Sequence, residues 1–234
     1  MAGNGSPRLL PTQDEKLYLQ ERNLVPDRIT QLLWDSILEG RIRPGTRLVE
    51  RQLAQQLGIS RVPVREALIQ LEMDGLIVSK SDGRYVIELN EQEIGKLYQV
   101  RRVLEGLAVE LAAQNTSPER ADVLRNKLQV MREAVAREDQ IAYVRNDIEL
   151  HRLIWGQANN PYLLELLRTL TGPIYMFVAD NANTIAWDVA FELHENLIDA
   201  INAGDIDLAR ENVERHMDEG LYRAYEVFKI HKRL

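Results

Sequence analysis

The chain contains no cysteine, which rules out disulfides, thiolate metal sites and cysteine nucleophiles. It has no run approaching the roughly 18 apolar residues that a membrane helix needs. Its start, MAGNGSPRLLPTQDEK, lacks the apolar core of a secretory signal. Also missing are a nucleophile elbow, a zinc-protease HExxH, a phosphate-binding loop and a dinucleotide fingerprint, so the common enzyme signatures are absent. Glycine (13) and proline (8) are sparse in 234 residues, unlike a disordered or collagen-like chain. These absences predict a soluble, cytoplasmic protein with no membrane partner. With 45% hydrophobic and 28% charged residues, the chain is ordinary for a helical globular protein.

The net charge of -7 argues against a general polyanion binder, but the charge is unevenly spread. Residues 1 to 89 hold 12 basic and 12 acidic residues, so all of the net acidity lies beyond them. Between positions 41 and 65 there are six arginines (Arg41, Arg43, Arg47, Arg51, Arg61, Arg65) and one acid, Glu50. A local surplus of this kind binds phosphates even on an acidic protein.

Residues 1 to 27 mix glycine, proline and charge without a sustained period and read as a flexible arm, with a short helical piece near Glu15 to Arg22. Ile29, Leu32, Leu33, Ile37 and Leu38 then recur at helical spacing up to Gly40. A short helix follows from Val49 to Leu57, closed by Gly58, and Ser60 caps the next, which buries Val64, Leu68 and Leu71 and runs to Gly75. After Gly75 the period shortens to two, and two strands joined through Asp82-Gly83 predict a hairpin. From Asn90 onward the pattern is helical, with helices near 91–115, 118–138, 140–158, 160–178, 184–203 and 205–228. Short connections imply an antiparallel bundle of six to seven helices. The predicted class is mainly α, with a winged helix-turn-helix over 28–89 and an all-helical domain over 90–230.

Two groups of residues carry chemistry. The first is ERQLAQQLGISRVPVREALIQLEMDG, residues 50 to 75, in which Ser60, Arg61, Pro63 and Arg65 fall at the start of the second helix. There, side chains and free amides meet phosphates and base edges in a major groove. Arg51 opens the bracing helix, while Gly83 and Arg84 mark a wing suited to the minor groove. The competing reading is a small structural subdomain with solvated arginines.

The second group is Asp147 with three histidines. Asp147 and His151 share a helical face at i,i+4. His194 lies about 10 residues before the Gly204-Asp205 joint and His216 about 11 after it, so antiparallel helices bring them level. One carboxylate and three imidazoles suit a divalent transition metal, with zinc placed first and nickel, manganese, iron or cobalt as alternatives. Unrelated core histidines are the competing reading, and His231 falls outside the pattern. Glu195 and Glu149 adjoin these residues but point to other sides of their helices, so no base is aimed at a metal-bound water. The aromatics Tyr143, Trp155, Tyr162, Tyr175, Phe177 and Trp187 read mostly as core.

The segment Arg41 to Ile87, which contains IRPGTRLVERQLAQQLGISRVPVREALIQLEMDGLIVSKSDGRYVI, resembles the winged helix-turn-helix of GntR-type bacterial transcription regulators. The later YVRNDIELHRLIW resembles the all-helical effector domain of their FCD subgroup, and the likeness extends over nearly all of residues 28 to 228. The resemblance implies a non-enzymatic regulator, a repressor first, that reads a palindromic double-stranded DNA operator as a homodimer under control of a small carboxylate effector. It implies DNA contacts from Arg51, Ser60, Arg61, Arg65 and Gly83, metal ligation by Asp147, His151, His194 and His216, and an effector clamp at Arg101 oriented by Glu105. Val62 stands where many relatives carry a polar residue, so an operator sequence does not transfer. A metal-dependent enzyme acting on a small organic acid, with a nucleic-acid-binding head, is the alternative, and a structural nucleoid protein is a third.

Overall fold

A computed structural model of the chain describes residues 25–181 and 186–231. The helical piece expected near Glu15 to Arg22 lies outside the described residues, as do positions 182–185. The chain divides into two compact units, one ending at Glu88 and the other beginning at Leu89.

The first unit opens with α1 (Val25–Leu38), which begins inside the segment expected to be a flexible arm. Pro26 sits in the first turn, where no intrahelical amide is needed, and Asp27 complements the positive helix end. α1 packs on α3 (Arg61–Met73), with α2 (Glu50–Leu57) braced against the same helix. Gly58 closes α2 in the left-handed conformation that its position predicts, at φ 69°. Ile29, Leu33, Leu53, Val64, Leu68 and Leu71 form the small core, each aliphatic side chain contributing about 1.5–3 kcal/mol by leaving water.

The wing differs from its sequence reading in two ways. Strands β2 (Ile77–Lys80) and β3 (Gly83–Val86) pair with Lys80 opposite Gly83, so the turn residues are Ser81 and Asp82 rather than Asp82-Gly83. A third strand, β1 (Arg47–Leu48), pairs antiparallel with β3 and gives the order β1-β3-β2. The Arg47 guanidinium reaches over the turn and donates to the Asp82 carbonyl. A Cβ at Gly83 would stand 2.8 Å from Arg47 Nε, so glycine is what admits this arginine.

The second unit is a bundle of six helices: α4 (Glu91–Gln114), α5 (Pro118–Ala136), α6 (Gln140–Gln157), α7 (Pro161–Asp180), α8 (Trp187–Ala203) and α9 (Ile206–His231). Local chemistry sets their starts. Asn90 and Glu93 form a reciprocal capping box on α4, while Ser117-Pro118 and Asn160-Pro161 supply a cap and an N1 proline to α5 and α7. α9 packs along α4 and α8, and α6 lies between α5 and α7. Leu124, Met131, Ile148, Ile154, Trp155 and Ile198 are fully enclosed. Tyr162 departs from its reading as core: it is 83% exposed in the first turn of α7, on the face opposite the packed side where the adjacent Leu163 is buried. No described helix is long and apolar enough to cross a membrane.

Candidate functional site

At the front of α3, Ser60, Arg61 and Arg65 are exposed together, with Arg51 exposed at the start of α2 and Pro63 half-buried between them. Ser60 occupies the N-cap position but makes no capping hydrogen bond. The amide that a serine cap commonly takes lies three residues on, and there Pro63 has none. The exposed face is organised by one acid. Glu50 receives Arg65 Nε at 3.2 Å and Arg84 Nη1 at 3.0 Å, and lies 3.7 Å from Arg61 Nη2. Arg84 also meets Glu72 at 3.3 Å, so its side chain turns from the wing toward α2 and α3 instead of standing free at the tip. Glu72 is held below the ordinary carboxylate range, first by its hydrogen bond from Ser79 and then by Arg84.

The second group converges inside the bundle. α6 supplies Asp147 and His151 on one face, α8 supplies His194 and α9 supplies His216. The ring centroids of His194 and His216 are 4.4 Å apart, and those of His151 and His216 are 5.1 Å apart. Donor nitrogens of the three rings lie within 4.8 Å of one another. Asp147 Oδ1 is 2.6 Å from His194 Nε2 and 3.7 Å from His151 Nε2.

The tautomers follow from the hydrogen bonds. The Ala190 carbonyl accepts from His194 Nδ1 at 2.7 Å, which places a ring proton on Nδ1 and turns Nε2 toward Asp147 Oδ1 and, at 3.4 Å, His151 Nε2. Burial pushes Asp147 toward its neutral form, yet the charge and hydrogen-bonding capacity of His194, followed by the charge of His151, hold it below the ordinary carboxylate range. A proton on Nε2 makes the contact an ion pair, and in place of that proton the three converging imidazoles with Asp147 form a donor set that could hold a divalent cation. Burial first, then His194 and His151, push His216 well below its ordinary value, leaving a neutral imidazole able to ligate.

Behind His151 stands Glu105, fully buried. It accepts from Arg101 Nε at 3.0 Å and Trp155 Nε1 at 2.8 Å, and its Oε1 lies 3.5 Å from His151 Nδ1. Burial works against its charge, but His151 and Arg101 prevail and bring its pKa down to about 2. Arg101, 3% exposed, is correspondingly stabilised as a cation despite its burial, because Glu105 is its neighbour.

A cavity of about 80 Å³ adjoins the cluster, and Asp147, His194, His216 and Arg101 contribute to its wall. A single water needs roughly 10–15 Å³ on this scale, so a small molecule has room. Tyr98, Tyr143, Tyr175, Trp187 and Arg223 also line it. Arg223 was missed in the sequence, although it follows His216 by seven residues and therefore shares its helical face. The carboxylates beside the cluster are occupied on the surface, Glu149 with Lys127 and Glu195 with Arg132. Asn146, next to Asp147, donates to the Ala142 carbonyl and accepts from Lys127.

Comparison with known proteins gives this arrangement a family. Residues 26–87 match the model of the bacterial regulatory proteins of the gntR family, and residues 96–219 match the FCD domain. The chain is 30% identical over 197 residues to a probable D-xylose utilization operon transcriptional repressor of Paenarthrobacter nicotinovorans, covering 84% of this chain and 87% of that protein. It is 29% identical to the gluconate operon transcriptional repressor of Bacillus licheniformis, over 78% of each chain. Among solved structures, Escherichia coli McbR/YncC superposes with a TM-score of 0.74 at 25% identity, over 88% of this chain and 99% of that one. These relatives are named as transcription regulators. The chain belongs to the GntR family of bacterial transcription regulators, in the group that carries an FCD domain.

Proposed function

We propose that the protein is a dimeric, metal-containing repressor: residues 28–89 read adjacent half-sites of a palindromic operator, and residues 90–230 sense a small carboxylate. Asp147, His151, His194 and His216 hold a divalent metal, with zinc preferred for a compact set of imidazoles and one carboxylate, and nickel, manganese, iron or cobalt as alternatives. Bound there, such a metal would supply Lewis acidity for a carboxylate oxygen of the effector. Arg101 directs its guanidinium at the same carboxylate, and Glu105 orients both Arg101 and His151 from behind.

In the reading unit, Arg61 and Arg65 meet phosphates and base edges, with Ser60, Pro63 and the open first turn of α3 against the backbone. Arg51 contributes from α2 and Gly83 from the wing, while Arg84, held by Glu50 and Glu72, acts from beside α2 and α3. Dimerisation is supported by an unpartnered apolar stripe on α4: Val100, Val103 and Leu107, at i, i+3 and i+7, are 52%, 72% and 40% exposed. Repression is the direction named for the xylose and gluconate relatives.

The observation that carries the sensing half is the convergence of three imidazoles, their nitrogens within 4.8 Å of one another, beside the Asp147 carboxylate. The experiment is a gel-shift titration at fixed salt on an operator recovered by selection from random DNA. Wild-type protein is compared as purified, after chelation and after zinc is restored, alongside His194→Ala. Chelation is expected to shift operator affinity by at least several-fold, with zinc reversing the shift in wild type only. Identical curves in all states contradict metal-linked control.

A further inference from the structure

The cavity wall carries more hydrogen-bond donors than the bundle satisfies. Arg223 Nε donates to Glu219 Oε1 at 2.8 Å, but its Nη2 is buried with no partner. Tyr175 Oη and Trp187 Nε1 are also buried without partners, and all three side chains line the cavity. A buried donor left without an acceptor is costly, and one that lines a cavity takes its acceptor from water or from a ligand placed there.

The donors fall into two groups. Tyr175 stands with the metal end: its ring is 6.3 Å from that of His151, and the Arg101 guanidinium lies 5.7 Å from its centroid. Burial holds the Tyr175 hydroxyl well above its ordinary pKa, so it remains a donor. Trp187 and Arg223 gather about Tyr143, whose ring centroid is 4.6 Å from that of Trp187 and whose hydroxyl lies within the field of Arg223. Arg223 stands seven residues from His216, about 10 Å along α9. Trp187 Nε1 can only donate, and Arg223 is a permanent cation.

A monocarboxylate bound to the metal and Arg101 leaves Arg223 Nη2 and Trp187 Nε1 unmet. A dianion with acceptors at both ends meets them. Charge points the same way: Asp147 and Glu105 are enclosed with the site, whereas Glu219, the partner of Arg223, is 36% exposed and shares its charge with solvent. Two guanidiniums and a divalent cation against two enclosed carboxylates leave room for a doubly negative ligand.

Resting on the effector-site reading above, we propose that the effector is a small dicarboxylate, one carboxylate at the Arg101 and Tyr175 end and the second on Arg223 and Trp187. The test is calorimetric titration of the zinc-loaded full chain with malonate, succinate and glutarate, each set against the monoacid of equal chain length, repeated with Arg223→Met and Arg223→Lys. Thermal melts confirm that each variant is folded. The expected result is a diacid bound about ten-fold or more tighter than its monoacid counterpart, as a charge-assisted hydrogen-bond pair affords. That ratio is expected to fall to within about two-fold in Arg223→Met and to an intermediate value in Arg223→Lys. A monoacid that binds wild type as tightly as any diacid, or a diacid advantage that survives Arg223→Met, overturns the assignment while leaving the effector site standing. No binding by any acid overturns both.

Discussion

The two units use the same ion pair, guanidinium with carboxylate, in opposite ways. In the winged unit Glu50 gathers Arg61, Arg65 and Arg84, whose side chains are 60%, 52% and 23% exposed. In the bundle Arg101 and Glu105 meet at 3.0 Å with 4% and 0% exposure. Exposed pairs are weak, commonly between about 0 and 1 kcal/mol, because water and salt screen them and long side chains lose freedom. An arginine held so lightly is aligned in advance yet can exchange Glu50 for a phosphate. A buried pair cannot be traded in this way, since either charge left alone is expensive. The first arrangement suits a surface that must engage and release DNA; the second suits a wall that must hold its shape around a small ligand.

The largest expected effect comes from breaking the buried pair. Glu105→Ala strands the Arg101 charge and frees His151, and we expect a loss of about 3–5 kcal/mol of bundle stability, read by chemical denaturation. Glu105→Gln, which preserves shape, is expected to weaken zinc binding by about 10- to 100-fold through the lost orientation of His151. A stability change under about 1 kcal/mol in the alanine variant would place Arg101 and Glu105 with the exposed pairs and erase the contrast.

On the exposed side, Arg65→Ala is expected to weaken selected-operator binding by about 1–3 kcal/mol, roughly 5- to 150-fold, while the thermal melt of the bundle stays put. Unchanged affinity in a gel shift at fixed salt would remove Arg65 from the contact surface. The smallest effect belongs to Glu50→Gln. It releases Arg61 and Arg65 from an internal competitor while Arg84 keeps Glu72, so binding to scrambled DNA is expected to tighten several-fold and to depend more steeply on salt, narrowing the margin over the operator. If scrambled DNA binds equally well before and after, Glu50 does not restrain these arginines.

Much of this was legible in the chain itself, for reasons that differ by element. The bundle helices announce themselves through apolar period and through Asn90, Ser117-Pro118 and Asn160-Pro161, which fix their starts by local hydrogen bonding. The meeting of His194 and His216 follows from counting equal rises on either side of Gly204. Strand β1 was not legible, because two residues carry no period and its pairing with β3 spans more than thirty positions. The turn slipped by one residue because Asp-Gly is a strong turn signal, whereas Gly83 serves here to admit Arg47. Glu50 was visible only as the single acid among arginines; that it meets two of them, Arg61 and Arg65, together with Arg84 from the wing depends on how α2, α3 and β3 fold together. Arg223 and Trp187 belong to the cavity by burial and by unmet donors, properties that exist only after the helices pack.

The account rests on a cation drawing together Asp147, His151, His194 and His216. Its most direct test is a crystal of zinc-loaded protein measured on both sides of the zinc absorption edge. We predict one strong anomalous peak inside each bundle, within about 2.0–2.2 Å of a donor atom from each of the four side chains. A bundle without a peak, or with the zinc held elsewhere and His194 still facing Asp147, would contradict it.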